Sequence, residues 1–290
     1  MNKEIKIGSS LVGPGQPCYT IAEIGINHNG DLNLAKKLIS TAVAAGCDAV
    51  KFQKRTVAVV YTAEELGKPR ENPFGATNGD LKRGLEFGLE QFREIDDYCR
   101  AVGIQWFASC WDEASVDFIN QFNPPCYKIA AASLTDDALL RHTRAKGKPI
   151  ILSTGMSTLE QVAHAIEVLG SKDLILLHTC SAYPSVYEDL NLQVIRTLHE
   201  KFGLPVGYSG HETGLASSVA AVALGACVVE RHITMDRAMW GSDQAASLAP
   251  SGITRLVRDI RLIEISMGSA EKRLLPSEVA VMKKLRRVGL

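Results

Sequence analysis

The sequence of 290 residues is 46% hydrophobic and carries 32 basic and 32 acidic side chains, so its formal net charge is zero. A balanced charge gives no electrostatic reason to bind nucleic acid or an anionic membrane, and we expect neither as a partner. No apolar run approaches the ~20 residues of a membrane span, and the N-terminal residues lack the apolar stretch of a signal peptide. Seven scattered cysteines without a CxxC pair are typical of buried thiols, which predicts a cytoplasmic protein.

Short apolar runs alternate along the chain with stretches of helical periodicity. After a small hairpin at residues 4–17, we predict eight strands, at 18–28, 48–55, 104–110, 126–133, 148–155, 174–184, 205–211 and 227–236. A helix is predicted after each strand, at 32–46, 89–102, 112–122, 135–147, 157–170, 190–203, 214–225 and 250–267, with Asp31 as the cap of the first. A basic helix follows at about 276–287.

Residues 56–88 form a long polar insertion, rich in Gly, Pro and Asn, between the second strand and its helix. A loop of this length on a compact domain is usually a lid or a binding loop. We therefore expect it to help close the functional site, together with the segment at 239–250.

Continuous apolar strands of this kind are typical of parallel sheets that are covered on both faces. Eight strand–helix units over about 250 residues predict an α/β fold of the (β/α)8 or TIM barrel type. No break in composition divides the chain, so we predict one domain, 1–290, with its core barrel at 18–267. The alternative is a doubly wound open sheet, but the first strand–helix turn, GINHNGD, lacks the GxGxxG fingerprint.

Two neighbouring predicted strands end in a histidine, His211 in PVGYSGH and His232 in CVVERHITMD. The C-terminal ends of barrel strands form the catalytic face, so we expect both imidazoles there. Because neutral imidazole suits zinc-, manganese- and iron-like ions, the pair predicts a shared divalent metal. The alternative is that both are core histidines with satisfied hydrogen bonds, which is the better interpretation of either one taken alone.

Two lysines, Lys51 in AVKFQ and Lys128 in YKIAA, lie inside apolar strands. A buried lysine is costly unless an anion compensates its charge. Together with hydroxyl groups at neighbouring strand ends, the two lysines suit a phosphate and a carboxylate. Two alternatives stay open: Lys51 forms a structural ion pair with Glu23, or either lysine forms a Schiff base with a carbonyl substrate.

Seven motifs in a fixed order, between about residues 18 and 250, resemble the N-acetylneuraminate (sialic acid) synthase family. They are AEIGINHNGDLNLAKKLI, AVKFQ, YKIA, ILSTGM, the YP of SAYPSVYEDLNL, YSGHE and VERHIT. Members of this family condense phosphoenolpyruvate with an aldehyde sugar such as N-acetylmannosamine and release phosphate. They use a (β/α)8 barrel and a divalent metal, commonly manganese. The resemblance therefore implies an enzyme that makes a 3-deoxy-2-keto sugar acid.

The resemblance also implies a role for each matching residue. His211 and His232 are expected to bind the metal, with manganese favoured over magnesium or cobalt. The residues expected to hold phosphoenolpyruvate are Lys51, Ser109, Lys128, Ser153 and Ser209. Glu23 is the expected group that activates water and Glu230 the second candidate, so the catalytic set is Glu23, Lys51, Lys128 and Glu230. Gln53, Tyr183 and Asp243 match positions that meet the sugar.

Some positions depart from the family pattern. Residues 131–133 read AAS where many members read SGE, so Ser133 stands in place of a sugar-contacting glutamate, and Ser181 replaces a frequent asparagine. We expect the barrel without the antifreeze-like domain that typically follows it, assembled as a homodimer or higher homo-oligomer. Two other functions stay open: a synthase of the 3-deoxy-octulosonate phosphate type that uses a different aldose, and a non-catalytic protein that binds phosphoenolpyruvate or a sugar.

Overall fold

Eight parallel strands close into a barrel in the computed structural model, which describes residues 4–289. In chain order the strands are β1 (Ile5–Ile7), β2 (Ser10–Val12), β3 (Tyr19–Gly25), β4 (Ala49–Lys54), β5 (Pro69–Asn72), β6 (Gly75–Thr77), β7 (Gln105–Cys110), β8 (Tyr127–Ile129), β9 (Ile150–Ser153), β10 (Leu174–Thr179), β11 (Val206–Gly210) and β12 (Val228–His232). Around the barrel the order is β3, β4, β7, β8, β9, β10, β11 and β12, and β12 pairs back to β3. The predicted (β/α)8 barrel is confirmed.

Helices surround this barrel and connect its strands. They are α1 (Leu32–Ala45), α2 (Val57–Val60), α3 (Ala63–Gly67), α4 (Asn78–Leu85), α5 (Leu89–Val102), α6 (Glu113–Asn120), α7 (Asp137–Arg144), α8 (Leu159–Leu169), α9 (Val194–Phe202), α10 (Ala216–Ala223), α11 (Pro250–Met267) and α12 (Pro276–Leu285). Helix α12 has no buried residue. Across residues 4–289, we find no helix with both the length and the hydropathy of a membrane span.

Helix α1 shows how local sequence sets these elements. Asp31 caps it as predicted, because its carboxylate accepts hydrogen bonds from two backbone amides of the first turn. Gly46 ends the helix with a φ of 79°, a left-handed conformation that glycine adopts without strain. Between these ends, Leu38 and Ile39 are completely buried against the barrel, and each contributes about 1.5–3 kcal/mol by leaving water.

The N-terminal hairpin seals one end of the barrel interior. Strands β1 and β2 pair antiparallel, with Ile5 opposite Val12, which confirms the predicted hairpin. The buried side chains of Ile5, Ile7 and Val12 form one apolar cluster with residues that point into the barrel, among them Phe107 and Ile151. The interior is therefore a packed core at this end, and a cavity is left at the C-terminal ends of the strands.

The insertion at 56–88 is built from regular elements, which the sequence analysis did not predict. It contains α2, α3, the hairpin of β5 and β6, and α4. Thr77 and Asp80 form a capping box at the start of α4, since each side chain accepts a hydrogen bond from the backbone of the other. Leu81 and Leu85 on α4 are buried, so the insertion is fixed in place by its own apolar face.

All eight predicted barrel strands are longer than the observed ones, most clearly at 18–28, 126–133, 148–155, 174–184 and 227–236, and two of them show the reason. The strand predicted at 126–133 ends at Ile129, and Ala131–Ser133 forms a 3-10 turn. The strand predicted at 174–184 ends at Thr179. In both cases the chain leaves the ladder and turns across the C-terminal face, where side chains are still partly buried. Apolar composition alone therefore does not predict the residue at which a strand stops pairing with its neighbours.

We predict that Ile7→Ala lowers the free energy of unfolding by about 2–5 kcal/mol, because truncation leaves a cavity at the sealed end of the barrel. Denaturant unfolding followed by circular dichroism measures this loss. Lys6→Ala is the matched control: Lys6 is exposed on the same strand, and we expect a change within about 0.5 kcal/mol. Equal losses in the two variants would show that the hairpin does not contribute its apolar face to the core.

Candidate active site

A cavity of about 260 Å³ opens at the C-terminal ends of the barrel strands. The predicted site residues that line it are Glu23, Lys51, Gln53, Ser109, Lys128, Ser153, Ser181, Tyr183, Ser209, His211, Glu230 and His232. In the sequence these residues are spread from Glu23 on the first barrel strand to His232 on the last. Since all eight strands run in the same direction, side chains at their C-terminal ends meet on one face.

Two predicted site residues lie outside this lining. Ser133 is buried in its 3-10 turn, and its neighbours Ala131 and Ala132 border the cavity instead. The structure therefore does not bring Ser133 to the cavity, because the turn takes its side chain away from it. Asp243 lies at the edge, with its Oδ2 atom 3.9 Å from Nδ1 of His232.

Lys51 lies at the centre of the buried charges. Its Nζ atom is 2.8 Å from Oε2 of Glu23 and 3.5 Å from Oε1 of Glu230, and it donates a hydrogen bond to Oγ of Ser109 at 2.9 Å. The ion pair considered as an alternative from the sequence is therefore present, between directly opposed residues of β3 and β4. The pair keeps Lys51 ionised inside the protein, since burial opposes the charge but Glu23 and Glu230 raise the pKa of Lys51 overall.

Lys128 is held more loosely than Lys51. Its Nζ atom donates to Oγ of Ser153 at 2.7 Å and is 3.8 Å from Oε1 of Glu230. Burial lowers the pKa of Lys128 to about 8, although Glu230 opposes this shift. Lys128 is thus ionised at neutral pH, and its ion pair with Glu230 is long, which suits it to an incoming anion. Its lowered pKa is also compatible with the Schiff-base alternative.

The two carboxyl groups of the cavity have different proton affinities. Burial raises the pKa of Glu23 to about 7, against the opposing charge of Lys51. Burial also disfavours the charge of Glu230, but Lys128 and Lys51 outweigh it and hold the pKa of Glu230 below its usual value. Environments that separate the pKa values of two carboxyl groups are typical of an acid–base pair. Near pH 7 positive charge exceeds negative charge in this cluster, which favours an anionic ligand.

The two predicted histidines lie together, with ring centroids 5.5 Å apart. Nδ1 of His211 is 2.7 Å from the carbonyl oxygen of Cys180. Since a carbonyl only accepts, Nδ1 carries the proton and the lone pair of Nε2 stays free. Burial lowers the pKa of His211 to about 4 and also lowers that of His232, so both rings are neutral at pH 7. The ring of Tyr183 packs on His211 at a centroid distance of 4.0 Å.

This arrangement fits a divalent metal that is held by two imidazoles. Neutral imidazole is the form that binds metals, and a ligating histidine commonly donates its other N–H to a carbonyl, as His211 does. Among residues 4–289, Nδ1 of buried His232 has no hydrogen-bond partner. Within the same residues, no group of three or more His, Cys, Asp or Glu side chains is arranged to hold a metal. Water or substrate oxygens would have to complete the coordination.

A buried ion pair behind the cavity positions His211. Nη1 of Arg231 is 3.1 Å from Oε1 of Glu212 and donates to Oγ of Ser218 at 2.9 Å. The Tyr208 hydroxyl donates to Oε2 of Glu212 at 2.9 Å. Because Glu212 directly follows His211 in the chain, this network fixes the backbone that presents the imidazole.

The sequence analysis assigned no role to Arg231 or Glu212, although a signal was available. Side chains alternate along a strand, so Arg231 faces away from the cavity that Glu230 and His232 line. An arginine buried in an apolar strand needs an acidic partner, and the glutamate of YSGHE provides it. Other lining residues carried no such signal in the sequence: Trp111, Ala130, Ala131, Ala132, Met156 and Thr179.

Comparisons with known proteins agree with this geometry. The model of the NeuB family matches residues 38–272. N-acetylneuraminate-9-phosphate synthase of Mus musculus is 43% identical over 279 residues, which are 94% of this chain and 78% of that protein. N,N'-diacetyllegionaminic acid synthase of Legionella pneumophila is 38% identical over 285 residues, 95% of this chain and 80% of that protein. The structure of an N-acetylneuraminic acid synthetase from Leptospira borgpetersenii aligns with a TM-score of 0.86 and 30% identity over 99% of both chains.

We predict that Glu212→Gln lowers the free energy of unfolding by about 3–5 kcal/mol, because it leaves the buried charge of Arg231 without a carboxylate. Thermal and denaturant unfolding measure this loss. Glu200→Gln makes the same chemical change at an exposed position of α9, where we expect a change within about 0.5 kcal/mol. A variant at Glu212 as stable as the wild type would mean that the network does not hold this loop.

Proposed function

The chain belongs to the NeuB family, and we propose on this premise that it is an enzyme that condenses phosphoenolpyruvate with an aldose. The products are a 3-deoxy-2-keto sugar acid and phosphate. One observation carries the proposal: two buried lysines, each hydrogen-bonded to a serine hydroxyl, lie in the cavity at the C-terminal face. Relatives named for N-acetylneuraminate 9-phosphate and N,N'-diacetyllegionaminic acid support an amino-sugar aldose such as N-acetylmannosamine.

Phosphoenolpyruvate brings a phosphate and a carboxylate, and both need positive charge. Lys51 and Lys128 supply it from the floor of the cavity, while Ser109, Ser153 and Ser209 supply hydroxyl donors beside them. Hydrogen bonds between charged groups are about twice as strong as neutral ones. Because the lysines are held before substrate arrives, their charge also offsets the negative charge that builds up as phosphate leaves.

In the proposed reaction, carbon 3 of phosphoenolpyruvate bonds to the aldehyde carbon, and the aldehyde oxygen takes up a proton to become a hydroxyl. Water adds to carbon 2, and the bond between carbon 2 and the phosphate oxygen breaks. Glu23 is suited to accept the proton of this water and return it, because its pKa is raised to about 7. Glu230, the second candidate, stays ionised and pairs with Lys51 and Lys128, so its contribution is to hold both lysines.

The aldose is proposed to bind at the outer part of the cavity. Tyr183 is half-exposed there and offers an aromatic face to a sugar ring. Ser181 and Gln53 also line the cavity, and Oδ2 of Asp243 lies 3.9 Å from Nδ1 of His232. These polar groups can bind sugar hydroxyls without competing for the lysines, so the two substrates occupy separate parts of one cavity.

We also propose that His211 and His232 hold a divalent metal, manganese in preference to magnesium or cobalt. When bound, such an ion supplies Lewis-acid polarisation of the aldehyde. The support comes from the two neutral imidazoles with ring centroids 5.5 Å apart and from the carbonyl of Cys180, which orients one of them.

A homodimer or higher homo-oligomer is part of the same proposal. Apolar side chains that are exposed on α11 and α12, among them Leu262, Ile265 and Leu285, support an assembly that covers them. The cytoplasmic location predicted from the cysteines stays a prediction.

Phosphate release from phosphoenolpyruvate tests the function. With manganese and a panel of free and phosphorylated aldoses, we expect release with an N-acylated amino sugar. Lys128→Met removes one charged hydrogen bond worth about 1.5–3 kcal/mol, so kcat/KM should fall about 10- to 100-fold. Lys36→Met, at a surface ion pair with Glu94, should leave kcat/KM unchanged.

Three results would contradict this function. Release with arabinose 5-phosphate alone would favour the octulosonate-type synthase. Binding of phosphoenolpyruvate without release for any aldose would favour a non-catalytic binder. A covalent adduct at Lys51 or Lys128 after treatment with pyruvate and borohydride would establish Schiff-base chemistry.

Metal analysis of purified protein tests the histidines separately from activity. We expect that His211→Ala and His232→Ala each abolish manganese binding, because each removes one of two protein ligands, while circular dichroism shows a folded barrel. His142→Ala changes a partly exposed histidine that pairs with Asp117 outside the cavity and should keep the wild-type stoichiometry. Unchanged stoichiometry in a variant at His211 or His232 would exclude that residue as a ligand.

A further inference from the structure

A second cavity, of about 280 Å³, lies on the same face of the barrel. The insertion at 56–88 forms one wall with Arg70 and Lys82, and the loop after β12 forms the other with Trp240 and Ser242. The two walls meet where the ring of Phe74 in the insertion packs edge-to-face on that of Trp240, with centroids 6.4 Å apart, and Nδ2 of Asn29 donates to the carbonyl oxygen of Trp240 at 2.7 Å. The cavity is therefore held by contacts between segments far apart in the sequence.

The charge in this cavity is positive and is not neutralised. Among residues 4–289, no carboxylate side chain is part of its lining. In the described part of the chain, neither Arg70 nor Lys82 has an ion-pair partner: Nη1 of Arg70 donates to Oδ1 of Asn78 at 3.3 Å, and Nζ of Lys82 lies 4.9 Å from the centre of the Tyr61 ring. Two cations that face one small cavity without a counter-charge favour an anionic ligand.

One side of this cavity is connected to the active site through hydrogen bonds. Gln53 lines the active site and is hydrogen-bonded to the guanidinium group of Arg55. Nη1 of Arg55 donates to the hydroxyl of Tyr61 at 2.8 Å, and the ring of Tyr61 lies beneath Lys82. A continuous series of side-chain contacts therefore links Lys82 to the active site.

The other side is connected through the loop after β12. Ser242 borders the second cavity, and the next residue, Asp243, lies 3.9 Å from His232. Nε2 of Gln244 donates to the carbonyl oxygen of Trp240 at 3.4 Å, which fixes this loop. The loop that carries Asp243 to the active site therefore also forms a wall of the second cavity.

We propose that Arg70 and Lys82 bind a phosphate monoester at the end of the aldose that is remote from its aldehyde, an inference that rests on the proposed condensation. Guanidinium and ammonium groups together suit a phosphate, since arginine binds two of its oxygens at once. Trp240, which is 40% exposed, offers an apolar face to the carbons of the sugar. The mouse relative is named for a 9-phosphate, a phosphate on the product carbon farthest from carbon 1.

Binding and turnover of N-acetylmannosamine and its 6-phosphate test this site. Calorimetry compares the wild type with the double variant Arg70→Gln/Lys82→Gln. We expect the Kd of the phosphorylated sugar to rise at least tenfold in the variant, while the Kd of phosphoenolpyruvate is unchanged. In kinetics, the ratio of kcat/KM for phosphorylated over free sugar should fall at least tenfold, through the KM of the phosphorylated sugar.

The matched control is Lys68→Gln/Arg83→Gln. It removes one lysine and one arginine from the same insertion, but these side chains pair with Glu65 and Asp80 and do not line the cavity. We expect wild-type affinity for the phosphorylated sugar. An equal loss of affinity in both double variants would show that the affinity depends on the net charge of the insertion and not on Arg70 and Lys82, and it would overturn the proposed site.

The outcomes separate the site from the reaction. If phosphate is released with an aldose but the double variant at Arg70 and Lys82 keeps its affinity for the phosphorylated sugar, the reaction stands and the phosphate site is wrong. If no aldose supports release but calorimetry shows binding of the phosphorylated sugar that is lost in this variant, the site stands and the condensation is wrong.

Discussion

The balance of buried charge at the C-terminal end of the barrel is the constraint on which the site depends. Lys51 lies between Glu23 and Glu230, and the desolvation of each ion costs several kcal/mol unless partners compensate it. Because burial raises the pKa of Glu23 to about 7, the two lysines carry more charge near neutral pH than the two carboxyl groups. The barrel thus holds cations ready for an anion, and each lysine also donates a hydrogen bond to a serine hydroxyl.

The two ends of the barrel are built differently for this reason. At the N-terminal end, Ile7 of the hairpin and Phe107 belong to one apolar cluster, which closes the barrel interior. At the opposite end, polar side chains replace apolar ones and leave space for a ligand. A charged cluster is tolerated at that end because the packed interior below it supplies the stability of the fold.

Contacts behind and beside the cavity hold its side chains and loops in position. The Arg231–Glu212 pair lies behind His211, and the carbonyl of Cys180 fixes the tautomer of the same ring. On the other side, Trp240 of the loop after β12 accepts a hydrogen bond from Asn29 and packs on Phe74 of the insertion. A ligand that extends past the cavity on this side therefore meets two segments that already contact each other.

The barrel and most of its site residues are predictable from the amino-acid sequence. In a parallel barrel, the end of a strand is enough to place a side chain on the catalytic face, so Lys51 and His232 were predicted from local pattern alone. The internal structure of the insertion at 56–88 and the exclusion of Ser133 were not, because turn geometry rather than apolar pattern decides them.

Which of these groups contact one another depends on the folded arrangement of the whole chain. The distances within the charge cluster, the partner of Arg231 and the cavity shared by Arg70 and Trp240 depend on packing between segments far apart in the chain. A sequence pattern reports the face on which a residue lies. The separation between two residues on that face is set by how the whole barrel closes and by which loops cover it.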